Sequence, residues 1–141
     1  MKKLQFDAAT VLRGVGLKAT PRRIQLLTCI AVSGRPLSVA MIHTELGDII
    51  DAVTVYRALE TFCRVGIVRR VDFGHGRAYY EIKDTHDHHH IICTVCAQVE
   101  DFSGCEAPRI VRNAIKNSKQ FSTITRHSLE LFGVCKVCSA R

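Results

Sequence analysis

No stretch of about 18 uninterrupted apolar residues occurs in this chain, although 47% of its 141 residues are hydrophobic. That argues against a membrane span and leaves enough apolar material for a packed core. There is no internal repeat and no low-complexity linker. The opening Met1-Lys2-Lys3-Leu4-Gln5-Phe6-Asp7 is basic but lacks the apolar run and cleavage site of a secretory signal. A cytoplasmic, reducing compartment is therefore expected, where paired cysteines more often hold metal than form disulfides. The sequence also lacks a His-Glu-x-x-His helix and any Ser/His/Asp arrangement, so little supports a hydrolase. Acidic residues are in short supply as well, 13 against 20 Lys and Arg, a formal net charge of +7. The excess is uneven. Residues 1–84 carry 13 basic against 8 acidic residues, a net +5, and residues 85–141 carry 7 against 5, a net +2. The front half is the better candidate for a polyanionic partner, though solubilising charge would give the same count.

What is abundant is metal-ligand chemistry. His86-Asp87-His88-His89-His90 runs into Cys93-Thr94-Val95-Cys96, and Cys135-Lys136-Val137-Cys138 lies near the end. Two Cys-x-x-Cys turns supply the four thiolates of a tetrahedral structural zinc site at Cys93, Cys96, Cys135 and Cys138. Four thiolates also leave no open position for a substrate, which disfavours a zinc enzyme. A thioredoxin-like thiol enzyme would need one pair and a βαβ setting, and neither fits. On an extended segment His86, His88 and His90 share one face, while Asp87 and His89 point to the other. Glu81 and Asp101 are carboxylates on neighbouring predicted strands that could join the first face, and His127 could join the second. Imidazole and carboxylate ligands without thiolate suit Fe(II), Mn(II), Zn(II) or Ni(II). Cys29 and Cys63 read as core thiols, and Cys105, after Ser103-Gly104 in a turn, reads as an inert turn residue, with a spare metal ligand or a redox-active thiol as the alternatives. His43 and His75 have no ligand partner in sequence.

The pattern of elements is α+β. An opening helix over 7–14 precedes a helix from Arg22 to Val32, for which Thr20-Pro21 supplies the cap and first-turn proline. Ser38 caps a second helix running to about Leu46. Asp51 caps a third, running to Val65, with Ala52, Val55, Leu59 and Phe62 toward the core. Arg57, Thr61 and Arg64 fall on the opposite face, flanked by Thr54 and Tyr56, a surface suited to phosphates and base edges. Two β-rich runs, Ile67–Phe73 and Arg77–Ile82, flank Gly74-His75-Gly76 and predict a hairpin. Helices followed by a basic hairpin describe a winged helix-turn-helix, against which stands a small helical domain whose arginines face water. Domain boundaries are expected at 1–84 and 85–141, with a hinge at Lys83-Asp84-Thr85. The second domain is expected to hold short strands at 91–95 and 98–102 and a helix over 106–117. In that helix Ala107, Ile110, Val111, Ala114 and Ile115 share one face, and a strand-like run follows from Ser122 to Phe132. So small a unit buries little by itself, and zinc and self-association are the usual remedies.

Gly16-Leu17-Lys18-Ala19-Thr20-Pro21-Arg22-Arg23, Thr54-Val55-Tyr56-Arg57-Ala58-Leu59, Tyr80-Glu81, the His-x-His-Ile-Ile-Cys-x-x-Cys block and His127-Ser128-Leu129-Glu130-Leu131-Phe132-Gly133-Val134-Cys135 appear in order. In this the chain resembles the ferric uptake regulator (Fur) family of bacterial metal-dependent transcription factors. The resemblance implies a homodimer of N-terminal winged helices and C-terminal dimerisation domains on a palindromic double-stranded DNA operator. It implies structural Zn2+ on the four cysteines and a regulatory metal, Fe2+ as first choice, on Glu81, His88, His90 and Asp101. A further site corresponds to Asp87, His89 and His127. Lys18, Tyr56 and Arg57 correspond to DNA-contacting positions, beside Thr54 and Arg64 from the helical wheel. Where members place a hinge histidine before the second helix, this chain has Pro36, and where some carry a glutamate ligand it has Pro108, with Glu106 nearby. Zinc sensors of the family often carry cysteine at the Glu81 position, and peroxide sensors use the histidine replaced by Pro36. Iron is thus preferred over peroxide, manganese, nickel or zinc. A DNA-binding protein whose only metal is structural stays open as a rival.

Overall fold

The computed structural model describes residues 6–74, 76–83 and 88–141, and these fall into two compact units, 1–85 and 86–141. The expected hinge residues Asp84 and Thr85, as well as His75, His86 and Asp87, lie outside the described residues.

The first unit is built by local signals that agree with its packing. Helix α1 (Ala8–Gly14) is capped by Asp7, whose carboxylate accepts from the backbone N–H of Ala9 and Thr10. Helix α2 (Pro21–Ser33) starts at Pro21, with Thr20 at the cap position but without the side-chain capping bond expected of it, and stops at Gly34, which adopts φ +60, the left-handed conformation that glycine tolerates. A two-residue strand, β1 (Leu37–Ser38), leads into α3 (Val39–Leu46), capped by the Ser38 hydroxyl. After a 3-10 turn at Gly47–Ile49 comes α4 (Ala52–Arg64), capped by Asp51. Gly66 at φ +79 turns the chain out of α4 into β2 (Val68–Asp72), which pairs antiparallel with β3 (Ala78–Ile82). The sheet order is β1-β3-β2. Leu12, Leu26, Leu27, Ile30, Ile42, Val55, Leu59 and Phe62 interlock beneath it as a fully buried core. Three helices and a hairpin of this order make a winged helix-turn-helix. One expectation fails: Ala52 is exposed, because the first turn of α4 lies beyond the core and only Val55, Leu59 and Phe62 reach it.

The second unit is a three-stranded sheet of order β5-β4-β6 with two helices. Strand β4 (His89–Cys93) pairs antiparallel with β5 (Val99–Phe102) and parallel with β6 (Glu130–Gly133). The strand-like run expected over 122–132 thus narrows to the part that hydrogen-bonds β4; 122–129 has no ladder partner. Helix α5 (Ala107–Asn117) and a single turn, α6 (Lys136–Ser139), complete the unit. On α5 the expected apolar face is mostly unburied: Ala107 is covered, whereas Ile110 and Ala114 are exposed. Among the described residues of this unit, the buried apolar ones are Ile92, Cys93, Val99 and Ala107. No helix among the described residues is long and apolar enough to cross a membrane.

Candidate functional site

The parallel pairing of β4 with β6 places Cys93 opposite Gly133, two residues before Cys135. This register brings the two Cys-x-x-Cys segments together from distant parts of the chain. Around the first, Ala97 takes φ 59 and its N–H donates to the Cys93 carbonyl, closing a tight turn. In the second, Cys135 caps α6. Ligand atoms of Cys93, Cys96, Cys135 and Cys138 all lie within 4.8 Å of one another, and Cys96 Sγ and Cys135 Sγ are 3.7 Å apart. Four sulfurs at tetrahedral corners around zinc would sit about 3.8 Å apart, so the cluster fits a structural zinc. The N–H of Cys135, Cys96 and Val95, directed at the Cys93 sulfur, hold its thiol down at about 6. Thiol hydrogen bonds from Cys135 and Cys96 push Cys138 up to about 12. The backbone thus favours a thiolate at Cys93, and a dication would draw the protons from the rest.

The two faces of β4 carry different chemistry. On one, the pairing of His90 with Asp101 sets His90 Nε2 3.6 Å from Asp101 Oδ1. The His88 and His90 rings meet edge to face, 5.4 Å between centroids. His90 is buried, His88 half-buried. On the other, His89 is buried against Phe102 and His127, with ring centroids 5.5 and 5.2 Å away. Cys105, expected to be an inert turn residue, instead turns inward: its Sγ lies 2.8 Å from His89 Nε2 and 3.9 Å from His127 Nε2. Asp87, expected beside His89 and His127, lies outside the described residues. Glu106, a nearby carboxylate, points to solvent in an ion pair with Arg109.

In the first unit Glu81 is a buried carboxylate on β3, and Arg69 Nε, directly opposite on β2, donates to it at 2.5 Å. Pro36 is completely buried at the entry to β1, where it can offer no ligand atom.

The exposed side of α4 presents Tyr56, Arg57 and Arg64, with Thr54 half-buried at its start and Lys18 exposed before α2. Asp51 fixes the start of this helix: its carboxylate accepts from the Thr54 N–H at 2.9 Å and the Thr54 hydroxyl at 2.6 Å. These bonds hold the Asp51 carboxyl below its ordinary value. Thr54, Arg57 and Thr61 line a depression of about 320 Å³ together with Arg22 and Arg23 of α2. Arg22 and Arg23 did not figure in the sequence reading of this surface. Their position directly after the helix-starting Pro21 was the signal that pointed there.

The Ferric uptake regulator family model matches residues 14–132. The ferric uptake regulation protein of Yersinia pestis is 33% identical over 141 residues, covering 96% of this chain and 93% of that protein. The peroxide-responsive repressor PerR of Staphylococcus aureus is 32% identical over 138 residues, covering 94% and 89%. Among solved structures, the Vibrio cholerae ferric uptake regulator, whose crystal structure shows rearranged DNA-binding domains, superposes with a TM-score of 0.79 at 31% identity, covering 92% of this chain and 100% of that one. With the family model spanning residues 14–132 and relatives above 30% identity covering more than nine-tenths of it, the chain belongs to the ferric uptake regulator family.

Proposed function

We propose that this protein is an iron-responsive transcriptional repressor that acts in the cytoplasm as a homodimer on palindromic operators. Members of the family are metal-responsive, dimeric DNA-binding regulators and not enzymes. The finer reading rests mainly on one observation: His88, His90 and Asp101 gather on one face of β4 and β5 without a thiol among them, apart from the four-cysteine cluster. Imidazole and carboxylate donors suit Fe(II), and Glu81 supplies a second carboxylate. The ferrous ion would be held by Glu81, His88, His90 and Asp101, supplying a dication that neutralises both carboxylates. Zn2+ on Cys93, Cys96, Cys135 and Cys138 would serve structure alone. Lys18, Thr54, Tyr56, Arg57 and Arg64 would meet DNA, with α4 in the major groove. The exposed Phe121, Leu131, Phe132, Val134 and Val137 give the second unit apolar surface for a second copy.

Buried Pro36 favours one rival, a DNA-binding member whose only metal is structural zinc, since the first unit then contributes Glu81 alone. Metal content before and after mild chelation, paired with operator binding in both states, separates the two. A retained zinc and a removable ferrous ion that restores binding support the sensor. Operator binding indifferent to added iron selects the rival.

A further inference from the structure

We propose that Cys105 joins His89 and His127 as the third ligand of a second exchangeable site, one that takes a thiophilic dication of the zinc class rather than iron. Resting on the reading of His89 and His127 as metal ligands, the proposal adds a sulfur donor and a choice of ion. Ligand atoms from these three residues lie within 4.8 Å of one another, and they come from three separate segments: β4, the turn between β5 and α5, and the chain just before β6. Around a tetrahedral zinc, with bonds of about 2.3 Å to sulfur and 2.0 Å to nitrogen, sulfur and nitrogen stand about 3.5 Å apart. The two sulfur–nitrogen separations here, 2.8 and 3.9 Å, bracket that value, so small side-chain rotations bring the donors to bonding distance.

Chemistry decides which ion. One thiolate and two neutral imidazoles form a soft-to-borderline donor set with a single negative charge, which zinc and cobalt accept and which magnesium or manganese does not favour. The set opposite, on the His90 face, has carboxylates and no sulfur. Two faces of one strand would thus sort two kinds of ion. The three donors among the described residues leave a fourth position for water or a further ligand, the arrangement of exchangeable zinc rather than of a closed four-thiolate site. His89 is buried with Cys105 as its hydrogen-bond partner, so its imidazole is held in place before any ion arrives. An ion there would fasten β4 to the loops on either side of α5, in a unit with little apolar core of its own.

Cobalt(II) added to the full chain while the four-cysteine zinc stays in place tests this. Added cobalt should show a near-ultraviolet sulfur-to-cobalt charge-transfer band, and zinc should displace it. Cys105→Ser should abolish the band while leaving the zinc content unchanged, and His127→Gln should weaken cobalt binding and shift the visible bands. Cobalt that binds with no charge-transfer band, or a band that survives Cys105→Ser, overturns the assignment. Failure of the iron site reads differently: protein carrying Cys105→Ser together with His89→Gln and His127→Gln keeps only the donors of the His90 face, and it would then bind no further cobalt.

Discussion

In the first unit fourteen buried residues, from Ala8 to Tyr80, form one continuous apolar cluster, and each of α1, α3 and α4 has a side-chain cap. In the second, four apolar residues are buried among those described, α5 has no side-chain cap hydrogen bond, and large apolar side chains such as Phe121 and Val137 are exposed. Burial of hydrocarbon is sufficient to order the first. The core of the second removes little area from water, so the metal bonds and self-association proposed above would have to supply the rest of its order. The contrast suits the proposed regulator: a recognition surface carried by a unit with its own apolar core, and a sensing unit whose order would depend on what it binds.

The contrast predicts unequal responses, beginning with the largest. Removing zinc from the cysteines, or replacing Cys135 with Ser, should unfold the second unit, since zinc in small thiolate domains contributes about 10–16 kcal/mol of folding free energy. Amide exchange should show protection lost in β4–β6 and kept in α2 and α4. Equal loss in both units would break the comparison. Phe62→Ala should do the reverse, costing the first unit about 3–5 kcal/mol in denaturant unfolding while zinc stays bound. Arg57→Ala should cost about 1–3 kcal/mol of operator affinity and leave both units as stable as before. Operator titrations at several salt concentrations check it, and undiminished binding would remove α4 from the interface.

Smaller effects sharpen the picture. Arg69 holds the Glu81 carboxylate that the proposed iron site needs, so Arg69→Ala should tighten iron binding by up to about 1 kcal/mol. An unchanged or weaker affinity would mean that the pair does not compete with metal. Asp51→Ala should lower the melting temperature of the first unit slightly by removing the α4 cap. The sign with pH follows from the depressed Asp51 carboxyl, held down first by the Thr54 hydroxyl and then by the Thr54 N–H. Its contribution is present above the ordinary carboxylate value and is lost as pH falls through the lower folded value. Wild type and variant should therefore converge on acidification, as thermal melts across that range would show.

Much of the first unit was legible because its signals are local. Thr20-Pro21, Ser38, Asp51 and Gly66 mark helix ends within a turn of where they act, and Gly74 and Gly76 mark the hairpin. Strand β1 was not legible, since two residues carry no periodicity and Leu37 becomes a strand only by pairing with Tyr80. The exposure of Ala52 and Ile110 was equally hidden, because a helical wheel gives a direction but not how far the neighbouring layer extends. Glu106 was the nearer-looking substitute ligand by type, yet it faces Arg109, and Cys105 two positions after Ser103 faces the histidines.

Residue chemistry and short-range geometry were enough to set the ligand types, the alternation that divides the histidines between two faces, the helix caps at Asp7, Ser38 and Asp51, and the basic exposed side of α4. Which distant groups meet is a matter of strand register and loop path. The parallel register of β4 and β6 joins the two cysteine pairs, the antiparallel register of β4 and β5 sets Asp101 beside His90, and the fold of the loops around α5 brings Cys105 and His127 to His89. The reason is that strand register and loop closure are settled by the packing of the whole unit, and no short window of sequence contains that information.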